Sequence, residues 1–325
     1  MKTLRYRNMD GTGPHSSADV FRWAVVDRLS GRRRNAPARS PVASVVPDSG
    51  LLARPPARGE GTRLTWLGHA SWLVQLAGLS LLIDPVLGER ISGLIRRNVA
   101  PGLRVDQLPR IDGCLVTHNH RDHLDLPTLK RVGAPVWAGE GTAPLLRKAG
   151  LEAHELAWWE SAPIGLLTVH FVPSQHWSRR GLFDTNDMLW GGFVVEGDGR
   201  RVYHSGDTAY FDGFKEIGRR FPGLLAAMLP IGAYEPPWFM ETMHMNPEQA
   251  TQAFLELDAQ DFLAMHWGTF KLTDEPLDEP PRRLKAEWER RGLAPSRLHL
   301  LPVGGSWLTP AAEGKSDVGV GAANT

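Results

Sequence analysis

Residues 118–123 read His-Asn-His-Arg-Asp-His and directly follow the apolar run Cys114-Leu115-Val116. Three imidazoles and one carboxylate at the end of a predicted strand are typical of a metal site at the rim of a sheet. Along an extended chain His118 and His120 point to the same side. Asp122 and His123 lie where the chain turns into the next predicted helix, so they can face a second ion. The stretch therefore predicts a metal-dependent hydrolase whose remaining ligands lie further along the chain.

Three more polar residues come at the ends of apolar predicted strands. They are His176, Asp207 and His266, after the strands at 166–172, 201–205 and 262–265. Loops at one edge of a sheet commonly converge on a site. Two hydrolytic metal ions about 3.5–4 Å apart, with a shared ligand and a bridging hydroxide, require roughly seven protein ligands. The candidates reach that number: His118, His120, Asp122, His123, His176, Asp207 and His266.

The regular hydrophobic pattern begins near Gly61. It predicts strands at 62–66, 71–76, 80–83, 110–117, 134–138, 166–172, 188–196, 201–205, 225–231 and 262–265. It predicts helices at 126–132, 141–149, 211–221, 247–257 and 282–291. Asn246 is the expected N-cap of the fourth of these helices, with Pro247 in its first turn. Strands interspersed with helices in both halves of the chain indicate sheets covered by helices.

The bulk composition is that of a globular protein with a sizeable core. The chain has 325 residues, of which 42% are hydrophobic. Its one cysteine, Cys114, excludes an intrachain disulfide, and its place in a predicted strand indicates a buried, inert thiol. No run of about 18 apolar residues predicts a membrane span, and the N-terminus lacks the basic-then-apolar order of a signal peptide. We therefore expect a cytoplasmic protein.

Charge is spread unevenly along the chain. Residues 1–60 contain 11 Lys/Arg and 5 Asp/Glu, a net charge of +6, and the remainder carries −5. The segment 21–34 (FRWAVVDRLSGRRR) fits a short helix lying on anionic lipid, or an arm packed on the domain. No recognition motif accompanies it, so nucleic acid is not an expected partner. The predicted organisation is a basic extension and linker at 1–60, a catalytic domain at 61–310 and a disordered tail at 311–325.

These motifs together resemble the metallo-β-lactamase superfamily. The His118–His123 stretch is followed in the family's order by His176, Asp207 and His266, and WLGHAS (66–71) and LIDP (82–85) are similar to its opening strands. Five segments resemble the subgroup of phospholipases D that hydrolyse N-acylphosphatidylethanolamine: PSQHW (173–177), GDT (206–208), PIGAYEPPWFM (230–240), HMNPEQA (244–250) and HWGTF (266–270). The resemblance covers roughly residues 61–300. It implies an α/β fold, the four-layer αββα sandwich of this superfamily.

The resemblance also implies a cofactor and a reaction. It implies two Zn²⁺ per chain, although Mn²⁺ and Fe²⁺ suit imidazole-rich sites as well. The implied ligands are His118, His120 and His176 for one ion, Asp122, His123 and His266 for the other, and Asp207 as the bridge. A bridging hydroxide would cleave N-acylphosphatidylethanolamine-like lipids to N-acylethanolamine and phosphatidic acid, a reaction of lipid metabolism.

Several residues are expected to support the ligands or the substrate. Asp84 follows a strand and would orient a ligand from behind. His244 would contact the reacting phosphate or assist the leaving group, so with Asp122 it is a candidate catalytic residue. His69 fits a pocket-lining and a structural role equally well. An apolar patch before His244 predicts either an acyl-chain groove or core packing; its members are Tyr234, Trp238, Phe239 and Met240.

Other functions remain open at this level. The same ligand set could hydrolyse a soluble lactone, thioester or phosphodiester, because a fold does not determine a substrate. A non-catalytic metal sensor or membrane adaptor would be expected to lack a ligand, and all seven are present. The expected partners are a phospholipid substrate and a membrane surface contacted peripherally, and the subgroup resemblance suggests a homodimer.

Overall fold

The computed structural model describes residues 5–309. The strands are β1 (Thr62–Gly68), β2 (Ser71–Leu76), β3 (Leu79–Ile83), β4 (Arg90–Ile91), β5 (Ile95–Arg96), β6 (Gly113–Val116), β7 (Val136–Gly139), β8 (Ala153–Leu156), β9 (Ser161–Ile164), β10 (Leu167–Val172), β11 (Gly192–Gly197), β12 (Arg200–His204), β13 (Ala226–Pro230), β14 (Asp261–Met265), β15 (Leu298–His299) and β16 (Ser306–Thr309). The α-helices are α1 (Ser17–Phe21), α2 (Asp27–Leu29), α3 (Ser49–Leu52), α4 (Leu126–Val132), α5 (Ala143–Lys148), α6 (Gly213–Arg220), α7 (Pro237–Met240), α8 (Pro247–Glu256) and α9 (Glu279–Arg290). A π-helical turn, Arg22–Val26, joins α1 to α2, and short 3₁₀ turns lie at Val105–Gln107 and Pro295–Arg297.

Fourteen of these strands form two mixed seven-stranded sheets. The first has the order β16-β1-β2-β3-β6-β7-β8, and the second has the order β15-β14-β13-β12-β11-β10-β9. In each sheet the antiparallel pairs lie on one side, and the parallel pairs, β3 to β8 and β12 to β15, lie on the other. Parallel strands are normally buried on both faces, and helices cover the outer faces here.

Three apolar clusters separate the layers. The inner faces of the two sheets pack against each other through a cluster that includes Trp66, Trp72 and Phe193. α4 and α5 cover the outer face of the first sheet through Leu129 and Leu146. The second sheet packs on α6, α8 and α9, with Phe214, Phe254 and Trp288 among the buried side chains. Helix, sheet, sheet and helix are the four layers expected, so the αββα prediction is confirmed.

The predicted central elements are largely confirmed. β2 and α4 have the predicted bounds, and most other strands and helices differ at their ends by a few residues. Asn246 caps α8 with its side chain, which accepts a hydrogen bond from the Gln249 N–H. Cys114 is buried in β6, and burial raises the pKa of its thiol to about 12. The prediction missed the four edge strands of the two sheets, β8, β9, β15 and β16, because an edge strand that is exposed on one side carries little apolar pattern.

The segment before β1 packs against the catalytic domain. Trp23 stacks on Phe239 with ring centroids 4.8 Å apart, and Arg33 binds both carboxylate oxygens of Asp274 at 2.9 and 3.0 Å. The helical part, at 17–29, begins earlier and ends earlier than the predicted 21–34. The predicted tail, 311–325, lies outside the described residues. Between residues 5 and 309, no helix combines the length and apolar character that a bilayer crossing requires.

Candidate metal centre

The loops that follow four strands bring the predicted ligands to one place. Residues 118–123 follow β6, and His176, Asp207 and His266 follow β10, β12 and β14. Three residues at this edge adopt left-handed backbone conformations that are uncommon outside glycine: His69, Asp84 and His266, with φ of 54°, 44° and 62°. Such strained residues cluster at functional sites.

Three imidazoles form one half of the centre. His118 Nε2 lies 2.9 Å from His120 Nδ1, and His176 Nε2 lies 3.2 Å from the same atom. These three residues are buried or nearly so and offer donor atoms within 4.8 Å of one another. Three nitrogen donors that converge in this way can hold one divalent ion and leave a position for a fourth ligand.

The other half contains a carboxylate and further imidazoles. Asp122 Oδ2 lies 3.9 Å from His123 Nε2 and 3.2 Å from His69 Nε2. His266 belongs to the same group of donors. The structure thus places His69 at the centre, whereas the sequence left its role undecided. His69 presents Nε2 to Asp122, and through this atom it can either bind a metal or donate a hydrogen bond.

Asp207 lies between the two halves. Its Oδ2 is 3.1 Å from His123 Nε2 and 3.9 Å from His176 Nε2, and its Oδ1 is 3.0 Å from His266 Nε2. The carboxylate is 3% exposed. One side chain therefore reaches donors of both halves, as a bridging ligand must.

The side chains fit a metal better than they fit one another. Six buried polar atoms of the cluster make no hydrogen bond: His120 Nε2, His123 Nε2, Asp207 Oδ1, His244 Nδ1 and both ring nitrogens of His266. Several of them are nevertheless 3.0–3.1 Å from a potential partner. Ligand atoms around a tetrahedral ion with bonds of about 2.0–2.1 Å lie roughly 3.4 Å apart, close to the spacings of 2.9–3.9 Å in this cluster. Buried nitrogen and oxygen atoms that lack hydrogen-bond partners and lie at these distances are typical of a metal centre.

In three imidazoles the ring nitrogen Nδ1, which is not the atom offered to a metal, contacts a neighbouring group. His118 Nδ1 lies 3.0 Å from Thr117 Oγ1, His123 Nδ1 lies 2.6 Å from Asp84 Oδ2, and His176 Nδ1 lies 2.9 Å from the Met243 carbonyl oxygen. Such contacts fix the ring and its tautomer so that Nε2 is free to bind a metal. Asp84, fully buried, also accepts hydrogen bonds from Thr117 N and Oγ1 at 2.8 and 2.6 Å.

The charge states also suit metal binding. Burial lowers the pKa of the His118 and His176 imidazoles well below the ordinary value, and it lowers the pKa of His120 to about 4. Burial alone would raise the pKa of Asp207, but the neighbouring His123 imidazole helps to hold it well below its usual range. Neutral imidazoles beside an ionised carboxylate are the forms that coordinate divalent ions. His123 differs: burial alone would lower the pKa of its imidazole, but the Asp207 and Asp84 carboxylates raise it well above the ordinary value, so a metal bound there displaces a proton.

Comparison with known proteins agrees with this geometry. The sequence profile described as a beta-lactamase superfamily domain matches residues 80–267. The chain belongs to the metallo-β-lactamase superfamily. It is 36% identical over 252 residues to N-acyl-phosphatidylethanolamine-hydrolyzing phospholipase D 1 of Caenorhabditis elegans, covering 71% of each chain. It is 32% identical over 238 residues to a UPF0173 metal-dependent hydrolase of Methanopyrus kandleri, covering 71% of this chain and 93% of that protein.

A solved structure shows the same fold. Igni18, a metallo hydrolase from Ignicoccus hospitalis, superposes with a TM-score of 0.61 at 23% identity and covers 77% of this chain and 98% of that one. As a member of this superfamily the chain is a metal-dependent hydrolase, and the cluster around Asp207 is its candidate metal site.

A cavity of about 430 Å³ opens onto the metal site of this hydrolase. His120, Asp122, Asp207 and His266 lie on its wall together with His244. His244 Nδ1 is 4.0 Å from Asp207 Oδ2, and burial lowers the pKa of the His244 imidazole to about 4. His244 is thus a neutral group beside the position that a substrate would take.

Only part of the predicted apolar patch faces the cavity. Phe239 and Met240 line it, whereas Tyr234 and Trp238 do not. Tyr234 is buried elsewhere, where its hydroxyl donates to Glu279 Oε1 at 2.8 Å. Trp238 lies under the Arg22 guanidinium, 4.2 Å from its ring centroid. These contacts agree with the packing alternative for Tyr234 and Trp238.

The rest of the lining was not foreseen. The remaining wall residues are Pro14, His15, Ser17, Val20, Trp23, Trp177, Arg179, Thr185, Ala233, Met243, Leu272 and Thr273. Five of them precede residue 24, in the segment treated as an extension. A larger cavity, of about 530 Å³, is lined by Arg39, Arg96 and Arg104, and no donor of the metal cluster lies on its wall.

Proposed function

We propose that this hydrolase is a two-zinc phosphodiesterase of phospholipase D type, which cleaves N-acylphosphatidylethanolamine-like lipids to N-acylethanolamine and phosphatidic acid. The position of Asp207 carries the proposal, because one carboxylate reaches both groups of donors and borders an apolar cavity. The 36% identity to the nematode relative named for this activity supports the choice of substrate.

The chain's own residues prepare the site for an anionic substrate. Divalent ions held by the seven predicted ligands would supply an activated water and positive charge for the phosphate oxygens. Asp84 keeps the His123 proton on Nδ1, and His69 donates to Asp122 when its proton is on Nε2. Arg179, on the cavity wall, adds a positive charge that can face a phosphodiester. The contact with His69 holds Asp122 as an ionised ligand with a fixed orientation. This is the catalytic role that we assign to Asp122.

His244 has a different part in the proposal. Because burial lowers the pKa of its imidazole to about 4, the ring is neutral near pH 7. It then acts through a hydrogen bond to the phosphodiester or to the leaving oxygen, and not as a cation. The unpaired, buried Nδ1 is the atom available for this contact.

A lipid substrate requires access to a membrane, and exposed apolar side chains surround the site. Phe21 and Leu29, 59% and 83% exposed, belong to the helical segment whose Val20 and Trp23 line the cavity. Leu94 is also exposed and borders a second cavity that reaches His120 and Asp122. We infer a peripheral contact with the membrane through these side chains.

The three consecutive arginines have a smaller part in this contact than the sequence indicates. Arg33 and Arg34 pair with carboxylates of the domain at Asp274 and Glu279. Vesicle sedimentation tests the apolar contact: Leu29→Glu with Leu94→Glu should weaken binding, and Leu308→Glu, exposed on β16, is the control. Equal binding by all three proteins would refute the contact.

The activity is tested with the purified full chain and vesicles that contain an N-acylphosphatidylethanolamine, with N-acylethanolamine release followed by mass spectrometry. Stripping the metal should abolish release, and Zn²⁺ should restore it. Asp207→Asn should be inactive, whereas Asp261→Asn, which alters an Asp–His pair away from the centre, should be active. Activity that survives both metal stripping and Asp207→Asn would refute the mechanism. Hydrolysis of a soluble diester but not of the lipid would refute the substrate.

A further inference from the structure

One wall of the active-site cavity is built by the segment before the catalytic domain. We call residues 6–34 the N-terminal arm. The matched superfamily profile begins at residue 80, so the arm lies outside it. The arm contributes these residues to the lining: Pro14, His15, Ser17, Val20 and Trp23.

The first end of the arm is fixed to the loop that bears a metal ligand. Asn8 is 4% exposed and clamps the His176 backbone: its Nδ2 donates to the His176 carbonyl at 2.8 Å, and its Oδ1 accepts from the His176 N–H at 3.1 Å. Trp190 Nε1 donates to the same Oδ1 at 3.0 Å. Gln175 donates to Asp10 Oδ2 at 2.8 Å. Buried polar contacts of this kind hold a segment in one position.

The second end is fixed at Asp274, next to Thr273 of the cavity wall. Arg33 makes its paired hydrogen bonds to Asp274, and its side chain is largely buried. Between the two ends, His15 and Trp23 both stack on Phe239, with centroids 4.2 and 4.8 Å away and planes within 14° and 9° of parallel. The arm is therefore a fixed wall of the cavity.

The inner side of this wall is apolar. Val20 and Trp23 face the same space as Phe239, Met240 and Met243. Aromatic and methionine side chains form adaptable apolar surfaces, and apolar pockets with a few polar groups at one end suit ligands with a reactive polar head. Here the polar end is the metal cluster with His244.

We propose that the N-terminal arm is a specificity-determining part of the active site, in which Val20 limits the space for the amide-linked acyl chain of the substrate. The inference rests on the proposed function. In such a lipid the ethanolamine unit places that acyl chain on the opposite side of the phosphorus from the two glycerol-linked chains, so it is the chain available to the apolar wall beside the metal cluster. The two glycerol-linked chains stay in the bilayer.

Val20→Trp tests the proposal, with Val26→Trp as a matched control. Both valines are on the helical segment and are 41% and 42% exposed, and only Val20 lines the cavity. Substrates would carry N-hexadecanoyl or N-butanoyl groups on the same glycerol-linked chains. Because each methylene kept out of the cavity lowers kcat/KM about fourfold, Val20→Trp should lower the hexadecanoyl-to-butanoyl ratio of kcat/KM at least tenfold. Val26→Trp should leave that ratio within about twofold of the wild type. Metal content and thermal melts should match in all three proteins.

An unchanged ratio in Val20→Trp, or an equal change in Val26→Trp, would overturn the proposal. Val20→Ala is a second test, because a wider cavity should raise the hexadecanoyl-to-butanoyl ratio of kcat/KM. If the wild type hydrolyses no lipid, calorimetric binding of N-hexadecanoylethanolamine tests the acyl-chain wall independently of the proposed phospholipase activity. Binding that is lost only in Val20→Trp would then support the acyl-chain wall while the proposed function fails. Equal binding by both tryptophan variants would overturn the wall.

Discussion

Replacing Asp84 by asparagine should weaken metal binding without changing any metal ligand. The Asp84 carboxylate is fully buried. Its Oδ1 accepts from the Thr117 N–H at 2.8 Å, and its Oδ2 accepts from Thr117 Oγ1 and His123 Nδ1, each at 2.6 Å. Asparagine has nearly the same shape, so Oδ1 can keep its backbone contact. The amide NH₂ then takes the position of Oδ2 and faces His123 Nδ1.

The expected magnitude follows from the proton that must move. Two donors cannot face each other, so His123 would place its remaining proton on Nε2, the atom 3.1 Å from Asp207 Oδ2. A protonated nitrogen cannot bind a metal. Changes to groups that support metal-binding imidazoles typically lower metal affinity 10- to 100-fold, about 1.4–2.7 kcal/mol. We expect a loss at the upper end of this range, because Nε2–H in the new tautomer can donate to Asp207 Oδ2, 3.1 Å away, and this contact must break before a metal binds.

The assay is metal retention against a competing chelator of known affinity, read as metal per chain by mass spectrometry. Asp261→Asn is the matched control: Asp261 Oδ1 is also 2.6 Å from an imidazole, His299 Nε2, and neither residue belongs to the metal cluster. Nitrogen-15 spectra of the imidazoles would report the tautomer directly. Metal retention in Asp84→Asn equal to that in Asp261→Asn, with the His123 proton still on Nδ1, would refute the reasoning.

Three further outcomes are expected. Asn8→Ala should lower the free energy of unfolding by about 2–4 kcal/mol in urea denaturation, because the buried N–H and C=O of His176 lose their partners. Glu287→Gln should make the free energy of unfolding less dependent on pH in acid. Hydrogen bonding from Arg290 is the main cause that lowers the pKa of Glu287 to about 2. The stabilisation by Glu287 is therefore complete above about pH 4.5 and is lost as pH falls through about 2. Exposed Glu289→Gln is the control, and parallel pH curves would contradict the expectation. Chelation should lower the melting temperature and Zn²⁺ should restore it, because an ion that binds the folded state stabilises it; a melt that does not respond would contradict a bound ion.

The ligand-bearing segments could be predicted because their signals are local. In residues 118–123 the donors are adjacent in sequence and end a strongly apolar strand. His176, Asp207 and His266 likewise follow strands whose apolar pattern is clear, and strands of one sheet end at common edges. Local pattern and position in the fold therefore agree, which is the condition under which sequence reasoning works.

His69 shows where local signals end. The sequence predicts that His69 lies in a turn between two strands, but its hydrogen-bond partner, Asp122, is 53 residues away. The pairing of β2 with β3, and of β3 with β6, brings the two together. Asn8 and His176 are separated by 168 positions, and no periodicity in either segment predicts their hydrogen bonds. A wall supplied by such a distant segment becomes visible only in the folded structure.

The apolar patch at 234–240 shows why a run of similar side chains need not form one surface. α7 is a single turn, and successive residues on a helix point about 100° apart. Phe239 and Met240 therefore reach the cavity while Trp238 turns toward Arg22. His15 and Trp23 of the arm stack on Phe239 and line the same cavity. We therefore expect changes in the arm to alter specificity while the metal chemistry is retained.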